Sequence, residues 1–207
     1  MNKTEIWLKP KPEKLRFVNW YLQHGCDLDC YFCKVPKQKT KIMNPKQHRE
    51  ALAKLRSISQ DGAAMLSIFG GETTLKPENF VGAVKDASKA GFFVDAITNG
   101  WGLTEKLIQQ LSEAGLSYLA YSIDSDPKSQ KRDLEKAMHF LSVARDFGII
   151  PVVNTVLTRG TNLDDFKNLA KTVINSNIFL SLLICSRKFQ TDYLLTLLPL
   201  ILLRKSN

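Results

Sequence analysis

The chain has 207 residues, 44% hydrophobic and 24% charged, and its 29 Lys and Arg against 20 Asp and Glu give a formal charge of +9. That balance excludes a disordered tail or a fibrous repeat and describes a folded chain long enough to bury a core within one domain. It also excludes a bilayer span: "MNKTEIWLKPKPEKLRF" lacks the apolar core of a signal peptide, and the longest apolar run, "YLLTLLPLILL" (193–203), is short and carries Pro199. A cytoplasmic location is therefore expected, where thiols stay reduced.

The predicted elements alternate. "LRFVNWYL" (15–22) reads as a strand rich in β-branched and aromatic residues. A helix follows, with Asn44 as N-cap, Pro45 at the first helical position and Ala51, Leu52, Leu55 and Ile58 on one face, closed by Gly62. "AMLSIF" (64–69) is the second strand, followed by a helix from Pro77 that turns Phe80, Val81, Val84 and Ala87 inward before Gly91. "FFVDAIT" (92–98) leads to a helix near 104–114, and "SYLAYSI" (117–123) to a helix near 130–147. "IIPVVNTVL" (149–157) precedes a helix capped by Asn162, and "IFLSLLIC" (178–185) is a sixth strand with the apolar tail as its helix.

Six strand–helix units imply parallel strands, because helical crossovers are the usual way to join them. Six units fall short of a closed eight-fold barrel, so periodicity leaves a curved partial barrel or a doubly wound open sheet.

The unusual residues fall after the strands, where such folds carry their chemistry. Strand one runs into "HGCDLDCYFC", strand two into "FGGETT" (69–74), strand three into "TNG" (98–100) and strand four into "SIDS" (122–125), while strand five contains Asn154. Three of the chain's four cysteines, Cys26, Cys30 and Cys33, thus crowd into one loop. As a zinc site they need a fourth ligand, with His24 or the distant Cys185 as candidates. A disulfide framework conflicts with the compartment and with the odd number of thiols. An iron–sulfur cluster with one iron left open is the third reading. Isolated, Cys185 reads as a buried structural thiol. Asn99, before Gly100, reads as a turn residue.

"CDLDCYFC", with Phe32 before its last cysteine, resembles the CxxxCxxC motif of the radical S-adenosylmethionine (SAM) enzymes. "FGGETTL", "TNG" and "SID" are similar to that family's segments after strands two, three and four, and the resemblance covers roughly residues 15–175. It implies a partial (β/α)6 barrel of parallel strands, with an extension over 1–14, a core over 15–177, and a last strand–helix unit or divergent tail over 178–207. It further implies that Cys26, Cys30 and Cys33 bind a [4Fe–4S] cluster whose fourth iron is chelated by SAM. One electron then cleaves SAM to methionine and a 5′-deoxyadenosyl radical, which abstracts hydrogen from a substrate.

On the same resemblance Phe32, Gly70, Gly71, Glu72, Thr98, Ser122, Asp124 and Asn154 become cofactor contacts. Glu72 would accept from the SAM ammonium group, Thr98 and Ser122 would face its carboxylate or ribose, and Asp124 its ribose hydroxyls. The family often has proline and aliphatic residues after GGE, where this chain has Thr73 and Thr74. No second cysteine cluster follows, so the subclass with auxiliary clusters is not expected.

A one-electron reductant such as flavodoxin or ferredoxin is an implied partner, with a small-molecule or peptide substrate and a partner subunit covering the open barrel side. The basic residues around the cysteines (Lys9, Lys11, Lys14, Lys34, Lys37, Lys39, Lys41, Lys46) read as a solvated face, since no nucleic-acid motif accompanies them. The competing reading is an iron–sulfur or zinc module, regulatory or a truncated relative, that does not cleave SAM.

Overall fold

The structure, a computed structural model, describes residues 15–33, 35, 44–59, 64–124 and 133–184. Cys185, the apolar tail and all the lysines named above except Lys46 lie outside the described residues.

Six strands form one sheet: β1 (Phe17–Gln23), β2 (Met65–Gly70), β3 (Phe93–Thr98), β4 (Leu116–Ser122), β5 (Ile150–Leu157) and β6 (Phe179–Ile184). Among the described residues five α-helices connect them: α1 (Pro45–Ser57), α2 (Pro77–Lys89), α3 (Glu105–Ala114), α4 (Leu134–Asp146) and α5 (Leu163–Asn175). All pairings are parallel and the spatial order is β1-β2-β3-β4-β5-β6.

That order decides between the two sheets left open by periodicity. A doubly wound sheet reverses direction at a switch point and so has helices on both faces. Here no reversal occurs, and right-handed crossovers in one direction put every helix on the same face. Consecutive helices from α1 to α4 accordingly pack side by side. The fold is a partial (β/α) barrel, and the segment expected from sequence to form a sixth helix lies outside the described residues.

Local chemistry sets the helix starts. Asn44 Oδ1 accepts from Gln47 N–H at 2.9 Å and the Gln47 side chain answers to Asn44 N–H at 3.4 Å, a capping box with Pro45 inside it. Thr104, Asp133 and Asn162 cap α3, α4 and α5 through their side-chain oxygens. A short 3-10 turn, Thr73–Leu75, precedes α2 and was not anticipated from the pattern.

The core lies between the sheet and its helices. Val18, Leu66, Ile68, Val94, Leu119 and Val153 from the strands meet Leu52, Phe80, Val84, Ile108, Leu111 and Leu141 from the helices. Because side chains alternate along a strand, the residues between these face the other way, into the concave side. There, Tyr21 packs at a tilt against Phe69 with ring centroids 4.4 Å apart, and Tyr21, Phe93 and Phe179 are each 51% exposed. The core side is dry; the concave side is open.

Gly82, exposed within α2, has no atom within 4 Å of where a side-chain carbon would sit. Gly82→Ala is expected to raise stability by about 0.5–1 kcal/mol, the helix-propensity difference, as read by urea denaturation.

Candidate active site at the C-terminal rim

The rim is built where β1 passes into the cysteine loop. The β1–β2 pairing continues past the strand ends, with Gly71 N–H donating to Gln23 O and Glu72 N–H to Gly25 O, both at 2.7 Å. The Gln23 side-chain amide, 2% exposed, also donates to the Glu72 carbonyl. This fit requires glycine: a side-chain carbon on Gly71 would lie 1.9 Å from Gly25 O, and one on Gly70 would lie 2.2 Å from Gln23 O. Read from sequence as allowing approach of a cofactor, the two glycines here admit the chain's own backbone.

Glu72 is the centre of the rim and is 1% exposed. Its Oε1 accepts from Thr74 N–H at 2.9 Å, Thr74 Oγ1 at 2.7 Å and Thr98 Oγ1 at 2.5 Å. Oε2 accepts from Asn99 N–H at 2.7 Å. Thr73 Oγ1 donates to Ile97 O at 3.2 Å and ties the same turn to β3. The threonines that depart from the family pattern therefore brace the carboxylate with hydroxyls. Each carboxylate oxygen has two acceptor positions, and Oε2 uses one of them among the described residues.

The cysteine loop lies over this centre. Leu28, 3% exposed, anchors it, and Cys33 N–H donates to Cys30 O at 3.0 Å to close a turn. Cys26 and Cys30 are half-buried, while Cys33 is exposed. Burial pushes the Cys26 thiol up, the Leu28 N–H···Sγ contact opposes it, and the charges of Asp27, Glu72 and Cys30 push the same way as burial. Asp27 Oδ1 accepts from Asn99 Nδ2 at 2.6 Å, and Tyr31 OH donates to Thr158 Oγ1 at 2.8 Å beyond β5. The loop is thus held at both ends of the barrel mouth.

Among the described residues no three His, Cys, Asp or Glu side chains converge as a site for a single ion. His24 sits apart, exposed, with its ring edge-on to Tyr21 at 6.2 Å.

A family model described as the Radical SAM superfamily matches residues 20–173. The chain belongs to that superfamily. A curated relative, the GTP 3′,8-cyclase of Clostridium botulinum, is 26% identical over 183 residues, covering 82% of this chain and 57% of the cyclase. This radical SAM chain therefore spans little more than half the length of that relative. Streptococcus suis SuiB bound to S-adenosylmethionine superposes with a TM-score of 0.70 at 17% identity, over 87% of this chain and 44% of SuiB. Methylornithine synthase (PylB) gives 0.63 at 13%, over 84% of this chain and 55% of PylB. At those identities both likenesses speak to the fold.

The other residues singled out by sequence are distributed along the radical SAM rim. Phe32 is half-buried and packs edge-on against Tyr31, with ring centroids 5.3 Å apart. Thr98, 1% exposed, spends its proton on Glu72 and accepts from Gly100 N–H at 2.9 Å. Asp124 Oδ1 accepts from Val156 N–H at 3.0 Å and locks β4 to β5. Ser122, Asn154 and Ser181 stand side by side in register across β4, β5 and β6, with Ser181 Oγ donating to Asn154 Oδ1 at 3.1 Å. They make a polar row on the concave side, at the end of β4 and midway along β5 and β6.

Sequence reasoning passed over Gln23, Asn99, Asp27 and Tyr31 as parts of the rim, and Asp95 below it. Asp95, 8% exposed, lies in register with Ser67 on the concave side and accepts from Ser67 Oγ at 2.6 Å. A lone acid inside "FFVDAIT" was the available signal. Burial pushes its carboxyl up to about 6 from 3.8, against the hydrogen bonds of Ser67 and Ala96 N–H.

Two expectations follow from this geometry. Gly71→Ala drives a side-chain carbon into backbone and is expected to cost about 1–3 kcal/mol or more, read by urea denaturation alongside Gly82→Ala. For Asp95 the folded value lies above the unfolded one, so the native state binds the extra proton between about pH 4 and 6, and stability falls as pH rises through that window. Asp95→Asn is expected to be more stable than the wild type by roughly 3 kcal/mol at pH 7, with the gap closing toward pH 4. A gap that does not change with pH would mean that Asp95 is hydrated and ionised throughout.

Proposed function

We propose that this chain holds a [4Fe–4S] cluster through Cys26, Cys30 and Cys33 and uses it to cleave SAM, so that a hydrogen is abstracted from a substrate held over the concave face of the sheet. The observation that carries this reading is the loop of three thiols pinned against the buried Glu72 carboxylate. The donor set fits the group: thiolates are the normal ligands of such clusters, and each binds a different iron, so they need to surround a cube rather than converge on a point. When bound, the cluster would supply one electron for the reductive cleavage of SAM that leads to hydrogen abstraction, with Cys26, Cys30 and Cys33 as the residues that would hold it.

The chain's own residues bind, orient and enclose. Cys26 must lose the proton that burial now favours, so loading releases protons and strengthens with pH. Glu72 Oε2 offers its remaining acceptor position to the ammonium group of SAM, a charge-assisted contact in a dry setting. Gly70 and Gly71 hold that carboxylate in place by seating the loop on β1. The row of Ser122 and Asn154 supplies polar partners for the rest of the cofactor, with Asp124 and Thr98 as the frame behind it. Phe32, half-buried beside Cys33, would shield a bound cluster from water.

The core of this activity spans 15–177, with the residues beyond it as a last unit or divergent tail. A flavodoxin or ferredoxin would deliver the electron. A peptide, as the precursor peptide seen with SuiB, or a small molecule, as named for the cyclase, is the substrate class proposed. The exposed Tyr21, Phe93 and Phe179 offer it an apolar floor, and a partner subunit would close the open side. Among the described residues no helix is long and apolar enough to cross a membrane.

Anaerobic reconstitution is expected to give about four irons and four sulfides per chain. With SAM and a reductant, the reconstituted chain should release 5′-deoxyadenosine, and Cys30→Ala should abolish both the full cluster and the product. The internal commitments of Thr98 and Asp124 favour a second reading, a metal module without SAM cleavage. It predicts bound iron or zinc and no 5′-deoxyadenosine.

A further inference from the structure

Asn99 reads from sequence as a turn residue, yet three segments meet on it. Its N–H donates to Glu72 Oε2 at 2.7 Å, and its Oδ1 accepts from Trp101 N–H at 2.9 Å. These two bonds fix the residue from backbone and side chain together. Its orientation follows from the partners: an N–H must meet the amide oxygen, which leaves Nδ2 for the Asp27 carboxylate at 2.6 Å. Asn99 is 6% exposed, whereas Asp27 is exposed on the cysteine loop. A buried donor thus holds an exposed acceptor across 72 positions of sequence.

The grip matters because of what Asp27 is attached to. Cys26 is its chain neighbour, and Cys26 Sγ lies 3.8 Å from Asp27 Oδ1. The Cys26 thiol also lies within the field of Glu72. One side chain therefore sets the distance between the first thiol of the motif and the carboxylate proposed to face SAM. No other side chain of similar size does this at position 99. Aspartate would set two carboxylates against each other, and serine or alanine would not reach.

We infer that Asn99 is a positioning residue: its amide latches Asp27, and with it Cys26, onto the Glu72 turn, so that cluster loop and SAM loop move as one body. The part concerning the cluster rests on the proposed function; the latch itself does not, because it is a bond between two side chains of this chain.

The test uses the full chain in both forms. In the metal-free chain, amide hydrogen exchange is followed by mass spectrometry on a peptide covering 26–33. Asn99→Ala and Asp27→Ala are each expected to speed exchange there by about tenfold, the loss of one charge-assisted hydrogen bond, with α5 unchanged. The double variant should be no faster than either single one, because both remove the same bond. Asp27→Asn keeps an acceptor oxygen and should exchange like the wild type.

In the reconstituted chain, the electron paramagnetic resonance signal of the reduced cluster is recorded before and after SAM. Wild type and Asp27→Asn should each shift to a single new species, and the two alanine variants to a mixture. Asn99→Ala exchanging like the wild type, or additive effects in the double variant, would overturn the latch. If Asn99→Ala does not fold, Asp27→Ala, altered on the exposed loop, decides by the same readings. If the wild type holds no cluster, the proposed function fails while the exchange experiment still judges the latch.

Discussion

The rim depends on one buried negative charge. Glu72 is almost fully removed from water, and a carboxylate in that position is tolerable only if its oxygens are filled by donors. The donors come from separate places: Thr74 from its own turn, Thr98 from the end of β3, and Asn99 from the loop beyond. Each is worth more than an ordinary hydrogen bond because its loss strands a charge in a dry setting. The carboxylate therefore draws β2, β3 and their loops into one register. Whatever the rim binds meets a surface already assembled.

The sheet around this centre divides its two faces. Serial strand order confines the helices to the convex side, where alternate residues such as Ile68, Val94 and Leu119 are fully buried. The concave side receives the intervening residues, and their character changes with height. Ser122, Asn154 and Ser181 make a polar row near the mouth, aromatic and aliphatic side chains lie below it, and the Asp95–Ser67 pair sits deeper still. Asp95 lies three residues before Thr98 on the same strand, below the rim network and apart from it. With its carboxyl pushed up to about 6, Asp95 takes up a proton only below that pH, and Ser67 donates to it from the neighbouring strand.

Much of this was legible because it is periodic or locally capped. Apolar residues at strand and helix spacing located every described strand and α-helix to within a few residues, and Asn44 and Asn162 marked helix starts through chemistry reaching only three positions ahead. The cysteines and the GGE segment were legible as a pattern. What escaped was each residue whose role depends on which loops become neighbours. Asn99 does form the turn expected of an Asn–Gly pair, through Trp101 N–H, but its amide serves Asp27. Thr98 and Asp124, read as facing a cofactor, carry bonds within the chain. Thr73 and Thr74 looked like departures from a pattern until their hydroxyls were seen on Ile97 and Glu72. A polar residue at a strand end announces a partner without naming it.

The Tyr31–Thr158 hydrogen bond joins positions 127 residues apart, and the Asn99–Asp27 bond positions 72 apart. Neither can form until most of the chain between them has folded, since long loops close late and gain nothing before their contacts are made. The three thiols sit on the loop that these two bonds hold, so they are among the last residues to find their geometry. A zinc finger folds around its metal. Here the order is reversed, and a correctly spaced trio of thiols certifies that β5 is already in the sheet.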